Sequence, residues 1–355
     1  MKILITGVCG FVGCLIARRI KATFDAAQLI GLDNLSRSGS EMNRESANSV
    51  CDVFVHADLR SASDFETLPE VDWVIDCAAI PSVLAGTDGY GSSRQLVEHN
   101  LVGTLNLLEY CRRCRAGIIL LSTSRVYSIE PLASLTLLES DARYVLDVNH
   151  DLPAGLSAGG IAESFSTKPP VSLYGATKVA SETMALEYGR AFDFPVRINR
   201  CGVLAGARQF GRADQGIFSF WIHSHHAKRP LRYIGCGGTG FQVRDCLHPV
   251  DVADLVAKQM MAGADASKPA VANLGGGTES SMSLLELTRW CDDRFGRHAI
   301  AGSDEVRQYD LPWIVLDSAR ARAAWDWSPQ RSVEMILEEI ADFSTQTPNW
   351  LEIVS

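Results

Sequence analysis

Long hydrophobic runs are missing from the 355-residue sequence, and no apolar stretch approaches the roughly 20 residues of a membrane-spanning helix. Membrane insertion is therefore not expected. Positive charge is also in short supply, with 33 Lys plus Arg against 42 Asp plus Glu and a formal net charge of -9. Such a chain repels a phosphate backbone unless a local patch overrides the total, so nucleic acid is not expected as a partner. Cysteine, at ten residues, is too dilute for a disulfide scaffold. Cys14, Cys77 and Cys201 lie in apolar stretches, as buried reduced thiols would. The CxxC formed by Cys111 and Cys114 has no second Cys/His pair at zinc spacing, so no metal is expected. Internal repeats and low-complexity tracts are lacking. The stretch MKILITGVCGF leads straight into a strand and a glycine turn instead of a signal-peptide h-region, and the expected location is the cytoplasm.

What is present suits a two-lobed globular chain with a sizeable core: 46% of residues are hydrophobic and 21% charged. Short β-branched runs at Lys2–Thr6, Gln28–Leu32, Asp52–His56, Asp72–Cys77, Gly117–Ser122 and Pro195–Arg200 predict strands. They alternate with helical patterns at Val12–Thr23, Ser61–Leu68, Ser92–Cys114 and Tyr174–Asp193. That rhythm implies βαβ units and an α/β fold with a doubly wound parallel sheet, a Rossmann fold. The expected division is a dinucleotide-binding domain over residues 1–200 and a smaller mixed α/β substrate domain over 201–355, interleaved with returning elements of the first. The stretch Glu130–Pro170, rich in Pro and Gly, reads as a long irregular insertion of the kind that often holds a ligand site. Helices are also expected at Ser283–Phe295 and Ser332–Thr345.

Gly7, Gly10 and Gly13 form a GxxGxxG pattern directly after the first strand and at the opening of the first helix. Absent side chains allow a tight turn, and the helix N-terminus can then approach a pyrophosphate with free N–H groups. Phe11 and Val12 lie within the same turn. Asp33 ends the second strand about 20 residues on, where a carboxylate can accept bonds from an adenosine ribose and repel a 2′-phosphate, favouring NAD. Asn34 and Arg37 follow it. Asp58 and Leu59, after the third strand, are candidates for the adenine side, and Ala78 and Ala79 offer small side chains where a cofactor passes closely.

Tyr174 and Lys178 share one helix face at i, i+4. A nearby ammonium and the positive nicotinamide lower a phenol's pKa, so tyrosinate can act as a base on a sugar hydroxyl. Thr123 follows the apolar fifth strand at the carboxyl edge, where such sheets bind ligands, and its hydroxyl can reach the same oxygen.

These residues resemble the extended short-chain dehydrogenase/reductase family of NAD-dependent sugar epimerases and dehydratases, over nearly the whole chain. The likeness narrows to the branch that inverts C2 of CDP-linked dideoxyhexoses, the CDP-tyvelose/CDP-paratose 2-epimerases. It is carried by DNLSR at Asp33–Arg37, STSRVY at Ser122–Tyr127, RQFGRADQG at Arg208–Gly216, QVRDCLHPVDV at Gln242–Val252, SLLEL at Ser283–Leu287 and DWSP at Asp326–Pro329. The resemblance implies a catalytic group of Thr123, Tyr174 and Lys178. In it Tyr174 deprotonates a ring hydroxyl while NAD takes the hydride, and Lys178 binds the nicotinamide ribose. Return of the hydride to the other face of the turned keto-sugar inverts the centre. Arg208, Arg244 and Arg307 are candidates to grip a nucleotide diphosphate, since a guanidinium binds phosphate oxygens as a fork. The resemblance also implies a homodimer paired through Ser92–Cys114 and Tyr174–Asp193.

Val203 stands where the family carries an Asn, which removes one expected substrate contact. Dehydratases of the family place Asp and Glu directly after the catalytic Thr; Ser124 and Arg125 stand there and cannot perform carboxyl chemistry. A sugar 4-epimerase, or a dehydrogenase/reductase with an exchangeable cofactor, would use the same Thr/Tyr/Lys apparatus. A dinucleotide sensor without catalysis would not need it. His223, His225 and His226 supply no i, i+4 pair for a metal, and a partly exposed helix is expected there. Trp313, Trp325, Trp327 and Trp350 are expected to serve packing.

Overall fold

Short aliphatic runs buried on both faces build the centre of the structure, a computed structural model that describes residues 1–87 and 89–354. β1 (Lys2–Thr6), β2 (Gln28–Asp33), β3 (Val53–His56), β4 (Trp73–Asp76) and β5 (Gly117–Thr123) join the strands Val196–Cys201 and Val271–Leu274 in one seven-stranded sheet. Its order is Val271–Leu274, Val196–Cys201, β5, β4, β1, β2, β3, and every neighbouring pair is parallel. Parallel strands need cover on both sides, and β4 is buried at all of its positions. On one face α1 (Phe11–Thr23) and the helix Pro249–Ala262 bring Ile16, Ile20, Val252 and Val256 into a single core. The helices Gly103–Cys114 and Ser172–Phe192 cover the other through Leu107, Leu108 and Ala185. This is the doubly wound sheet expected, and each of the six strands read from sequence falls within one residue of its observed ends.

Beyond Cys201 a small second sheet of Val203–Leu204, Val243–Leu247, Ser281–Ser283 and Trp313–Ile314 joins the helices Ile217–His226, Leu284–Phe295 and Val333–Gln346. Leu287, Ile336 and Ile340 lie in their shared core. The chain returns to the main sheet once, through Pro249–Ala262 into Val271–Leu274.

Three local expectations are corrected. Ser61–Leu68 is not a helix but contains one tight turn, Ala62–Phe65. The Asp64 carboxylate accepts from the Asp58 N–H and the Ser61 hydroxyl, and Pro69 bars continuation. The Glu130–Pro170 insertion is partly regular, with a hairpin of Leu137–Ser140 and Arg143–Leu146, and it seals a core of Tyr127, Leu146, Phe165 and Trp313. Finally, the Ile217–His226 helix is not partly exposed: His223 and His225 are buried because two helices pack over it.

Candidate active site

The chain reverses across the sheet where β1 separates β2 from β4, and a cleft of about 1090 Å³ opens beyond the carboxyl ends of these strands. Gly7 leaves β1 with φ +61, and a Cβ there would meet the Ala78 backbone at 3.0 Å. At Gly13 a Cβ would fall 2.1 Å from the Gly7 carbonyl oxygen. The turn thus folds tightly onto α1, whose N-terminus has no side-chain cap and no acidic residue in its first turn. Free N–H groups on a bare glycine cradle fit a dinucleotide pyrophosphate. Phe11 and Val12 line the cleft beside the glycines.

Asp33 lines the cleft too, but its carboxylate also clasps the turn, accepting from Cys9 N–H and Leu35 N–H at 2.8 Å each. Burial pushes its pKa up, and those N–H groups oppose the shift. Asn34 donates to Asp58 at 3.1 Å, and Asp58 is held well below the usual carboxylate range by its hydrogen bonds from Arg60. Leu59, Ala78 and Ala79 complete this side. Ala78 is fixed by Thr6, whose hydroxyl donates to Asp76 at 2.6 Å and accepts from Ala78 N–H at 3.3 Å.

At the far end of the same cleft Thr123 finishes β5 and Tyr174 sits in the first turn of the Ser172–Phe192 helix. Burial pushes the Tyr174 phenol up to about 12, while the Thr123 hydroxyl beside it pulls the other way, Cys201 raises it and Arg125 lowers it. Lys178 is buried and is not among the lining residues. Its charge acts on the buried Asp76, whose carboxyl is raised by desolvation and lowered by that ammonium. Behind β5, Ser122 donates to Glu182, which is paired with Arg200 at 2.6 Å; Arg200 in turn reaches the Tyr127 hydroxyl at 3.3 Å.

The opposite wall carries guanidiniums. Arg244 pairs with Asp310 at 3.1 Å, and burial lowers its pKa against that partner, with Arg307 adding repulsion. Arg244 and Arg307 line the cleft, and Arg125 lines it on the side of Thr123. The RQFGRADQG segment runs between the walls: Arg37 donates to Phe210 O at 3.2 Å and to Gln215, Ser82 donates to Asp214 at 2.7 Å, and Arg307 donates to Ala213 O at 3.1 Å. Arg37, lowered to about 10 by burial and next by Arg212, is thus spent on this strap.

Lys178, expected at the nicotinamide ribose, does not line the cleft, and two further expectations are not met in space. Arg208 does not line the cleft; its guanidinium lies 5.8 Å over the Phe343 ring. The reason is local, because Arg208 takes a left-handed φ of 65 and turns toward the Val333–Gln346 helix, leaving Arg212 to face inward. No described residue of the Glu130–Pro170 insertion lines the cleft either. Arg125, Asp310 and Gln215 went unassigned, although STSRVY and RQFGRADQG mark two of them. Among the described residues no cluster of His, Cys, Asp and Glu could hold a metal. All ten cysteines are free.

Residues 3–275 match the NAD dependent epimerase/dehydratase family, and the chain belongs to it. By class it is an NAD-dependent epimerase of nucleotide sugars, with NAD as its cofactor. CDP-paratose 2-epimerase of Salmonella typhi is 30% identical over 353 residues, which cover 97% of this chain and 99% of that one. UDP-glucuronate 4-epimerase of Thermodesulfobacterium geofontis is 24% identical over 97% of this chain and 96% of its own length. The UDP-glucuronic acid 4-epimerase of Bacillus cereus, solved with UDP-glucuronic acid and NAD, shares the fold with a TM-score of 0.78 at 24% identity, covering 98% of this chain and 99% of that one.

Proposed function

We propose that the protein inverts C2 of a CDP-linked dideoxyhexose, with Thr123, Tyr174 and Lys178 as its catalytic group. The observation that carries the reading is that Thr123 and Tyr174 meet in the same cleft as the glycine turn. The choice of CDP-sugar and of C2 draws on the full-length similarity to the Salmonella typhi enzyme. Inversion at C4 of a UDP-sugar is the second reading, favoured by relatives such as the UDP-glucuronate 4-epimerase.

Gly7, Gly10 and Gly13 would hold the pyrophosphate of NAD, Asp33 its adenosine ribose and Lys178 its nicotinamide ribose. Bound there, NAD would supply the acceptor and later the donor of a hydride at the sugar carbon. Tyr174 takes the proton from the ring hydroxyl as the ketone forms and gives it back as the alcohol is restored. Thr123 holds that oxygen by a hydrogen bond. Arg244 and Arg307 grip the diphosphate, so the sugar can turn about its linkage and present its other face without leaving. Atoms balance over the cycle, and no net oxidation results.

Tyr174→Phe should abolish inversion, a loss of about 100-fold or more, while NAD still binds. Undiminished turnover would remove Tyr174 from the mechanism. We also place the protein in the cytoplasm as a homodimer. Val97, Val102, Leu186 and Phe192 are exposed on the segment 93–114 and the Ser172–Phe192 helix, apolar side chains that a second copy would cover. Leu186→Asp should give a monomer by light scattering; an unchanged mass would refute that interface. Among the described residues no helix is long and apolar enough to cross a membrane.

A further inference from the structure

The guanidinium wall also carries an amide whose acceptor is unused. Among the described residues two cleft-lining side chains hold a buried oxygen with no hydrogen-bond partner, Gln209 Oε1 and Gln242 Oε1. An amide oxygen left unpaired in a protein interior is costly unless a donor arrives with a ligand. Gln209 is locked into the RQFGRADQG segment: its Nε2 donates to Leu204 O at 2.7 Å, and a Cβ on Gly216 would lie 3.1 Å from its Cδ. Gln242 instead stands one residue ahead of the strand Val243–Leu247 and two before Arg244, and both of these side chains line the cleft.

The orientation of the Gln242 amide is fixed by its neighbour. Its Nε2 donates to Ile234 O at 3.1 Å, and a carbonyl can only accept, so the amide cannot flip without setting oxygen against oxygen. Oε1 is therefore the end left to a ligand, and it can only accept. The surroundings are apolar. On the antiparallel neighbour Ser281–Ser283 Met282 lies opposite Arg244, which puts Leu284 beside Gln242, and Met282, Leu284 and Ile234 all line the cleft. An apolar slot with one placed polar atom suits a nucleobase. Residues two apart along an extended chain share a face about 6.5 Å apart, roughly what one ribose puts between a phosphate and its base. With Arg244 on the diphosphate, the base falls at Gln242.

We propose that Gln242 selects the base of the nucleotide sugar: its Oε1 accepts from the exocyclic amine of cytosine. Cytosine carries an N–H donor where uracil carries a carbonyl oxygen, and that oxygen would face Oε1 acceptor to acceptor. A polar group buried without its partner is what rejects the wrong ligand. This selection rests on the CDP-sugar reading for the choice of base, but it is read by binding and needs no turnover.

The experiment is calorimetric titration of CDP and of UDP into the NAD-loaded protein and into its Gln242→Met variant, which keeps the length of the side chain and removes the amide. Wild type should bind CDP about tenfold or more tighter than UDP, and Gln242→Met should lose that preference by weakening CDP and not UDP. If Gln242→Met does not fold, the diphosphate of pyrimidin-2-one riboside, which is cytidine without its amine, asks the same of wild type. It should bind about tenfold or more weakly than CDP, and binding as tight as CDP overturns the proposal. Equal affinity of wild type for CDP and UDP overturns it too. So does a Gln242→Met protein that loses both ligands alike, the mark of an amide that only holds Ile234 in place. A CDP preference set by Gln242 in a protein that inverts no sugar would uphold the proposal and sink the epimerase reading. Inversion at C2 of CDP-paratose, with the base preference unchanged in Gln242→Met, would do the reverse.

Discussion

Gly13→Ala tests the cofactor cradle at the point where the chain has least room. The added methyl would lie 2.1 Å from the Gly7 carbonyl oxygen, 2.8 Å from its carbon and 3.1 Å from the Val8 Cα, all backbone atoms that no rotamer change can move aside. Ordinary contact needs well over an ångström more than the shortest of these. The turn cannot retreat freely, because Gly7 O accepts from Gly10 N–H at 2.9 Å and Val8 and Cys9 behind it are fully buried. Overpacking costs about 1–3 kcal/mol, and a clash of backbone against Cβ belongs at the upper end. If the strain falls on the binding-competent turn, NAD affinity drops by roughly 30- to 150-fold. Gly10→Ala is the internal scale, since its Cβ would sit 3.0 Å from the same oxygen and needs only a few tenths of an ångström. Calorimetric titration of NAD into the NAD-stripped proteins should rank wild type tightest, then Gly10→Ala, then Gly13→Ala. Gly13→Ala binding NAD within twofold of wild type, while still folded by circular dichroism, would refute the reasoning.

Other perturbations have equally definite outcomes. Glu182→Gln removes the carboxylate from a buried pair with Arg200 and should cost about 3–5 kcal/mol, read as a clear fall in melting temperature; no fall would mean the pair is not needed. Asp214→Ala cuts the strap to Ser82 at 2.7 Å and should weaken NAD retention through gel filtration by about tenfold, while equal retention would detach the strap from cofactor binding. Asp245 is buried with its pKa raised by desolvation from 3.8 to about 7. A carboxyl raised on folding favours the folded state at low pH, and that contribution is lost as pH climbs from about 4 to about 7. Asp245→Asn mimics the protonated form, so wild type should lose stability relative to it across that window. A difference in melting temperature that is constant with pH would rule this out.

The βαβ rhythm was legible because strands buried on both faces must be aliphatic and short, and because the glycine turn has a spacing that few other structures require. The seventh strand was not, since Val271–Leu274 is four residues long and its place at the sheet edge depends on the helix before it packing on α1. Tyr174 and Thr123 were legible from local motifs, and the fold brings them together across about 50 residues of chain. Arg208 misled because a motif gives composition and not direction: one left-handed residue sends its guanidinium to Phe343 and puts Arg212 in the cleft. Arg37 shows the same limit, as its burial beneath the strap is a tertiary fact with no local signature. The histidine helix is a further case, where polar residues hide in a core because two other helices cover them.

The measurement that bears most directly on the central claim is proton NMR of CDP-paratose and a panel of UDP-, GDP- and dTDP-hexoses, incubated in D₂O with the purified protein and no added cofactor. The account predicts inversion at C2 of the CDP-sugar with no deuterium at that carbon, because the same hydrogen leaves and returns. Inversion at C4 of a UDP-sugar instead, deuterium at the inverted centre, or change only on continuous supply of NAD(P)H would contradict it.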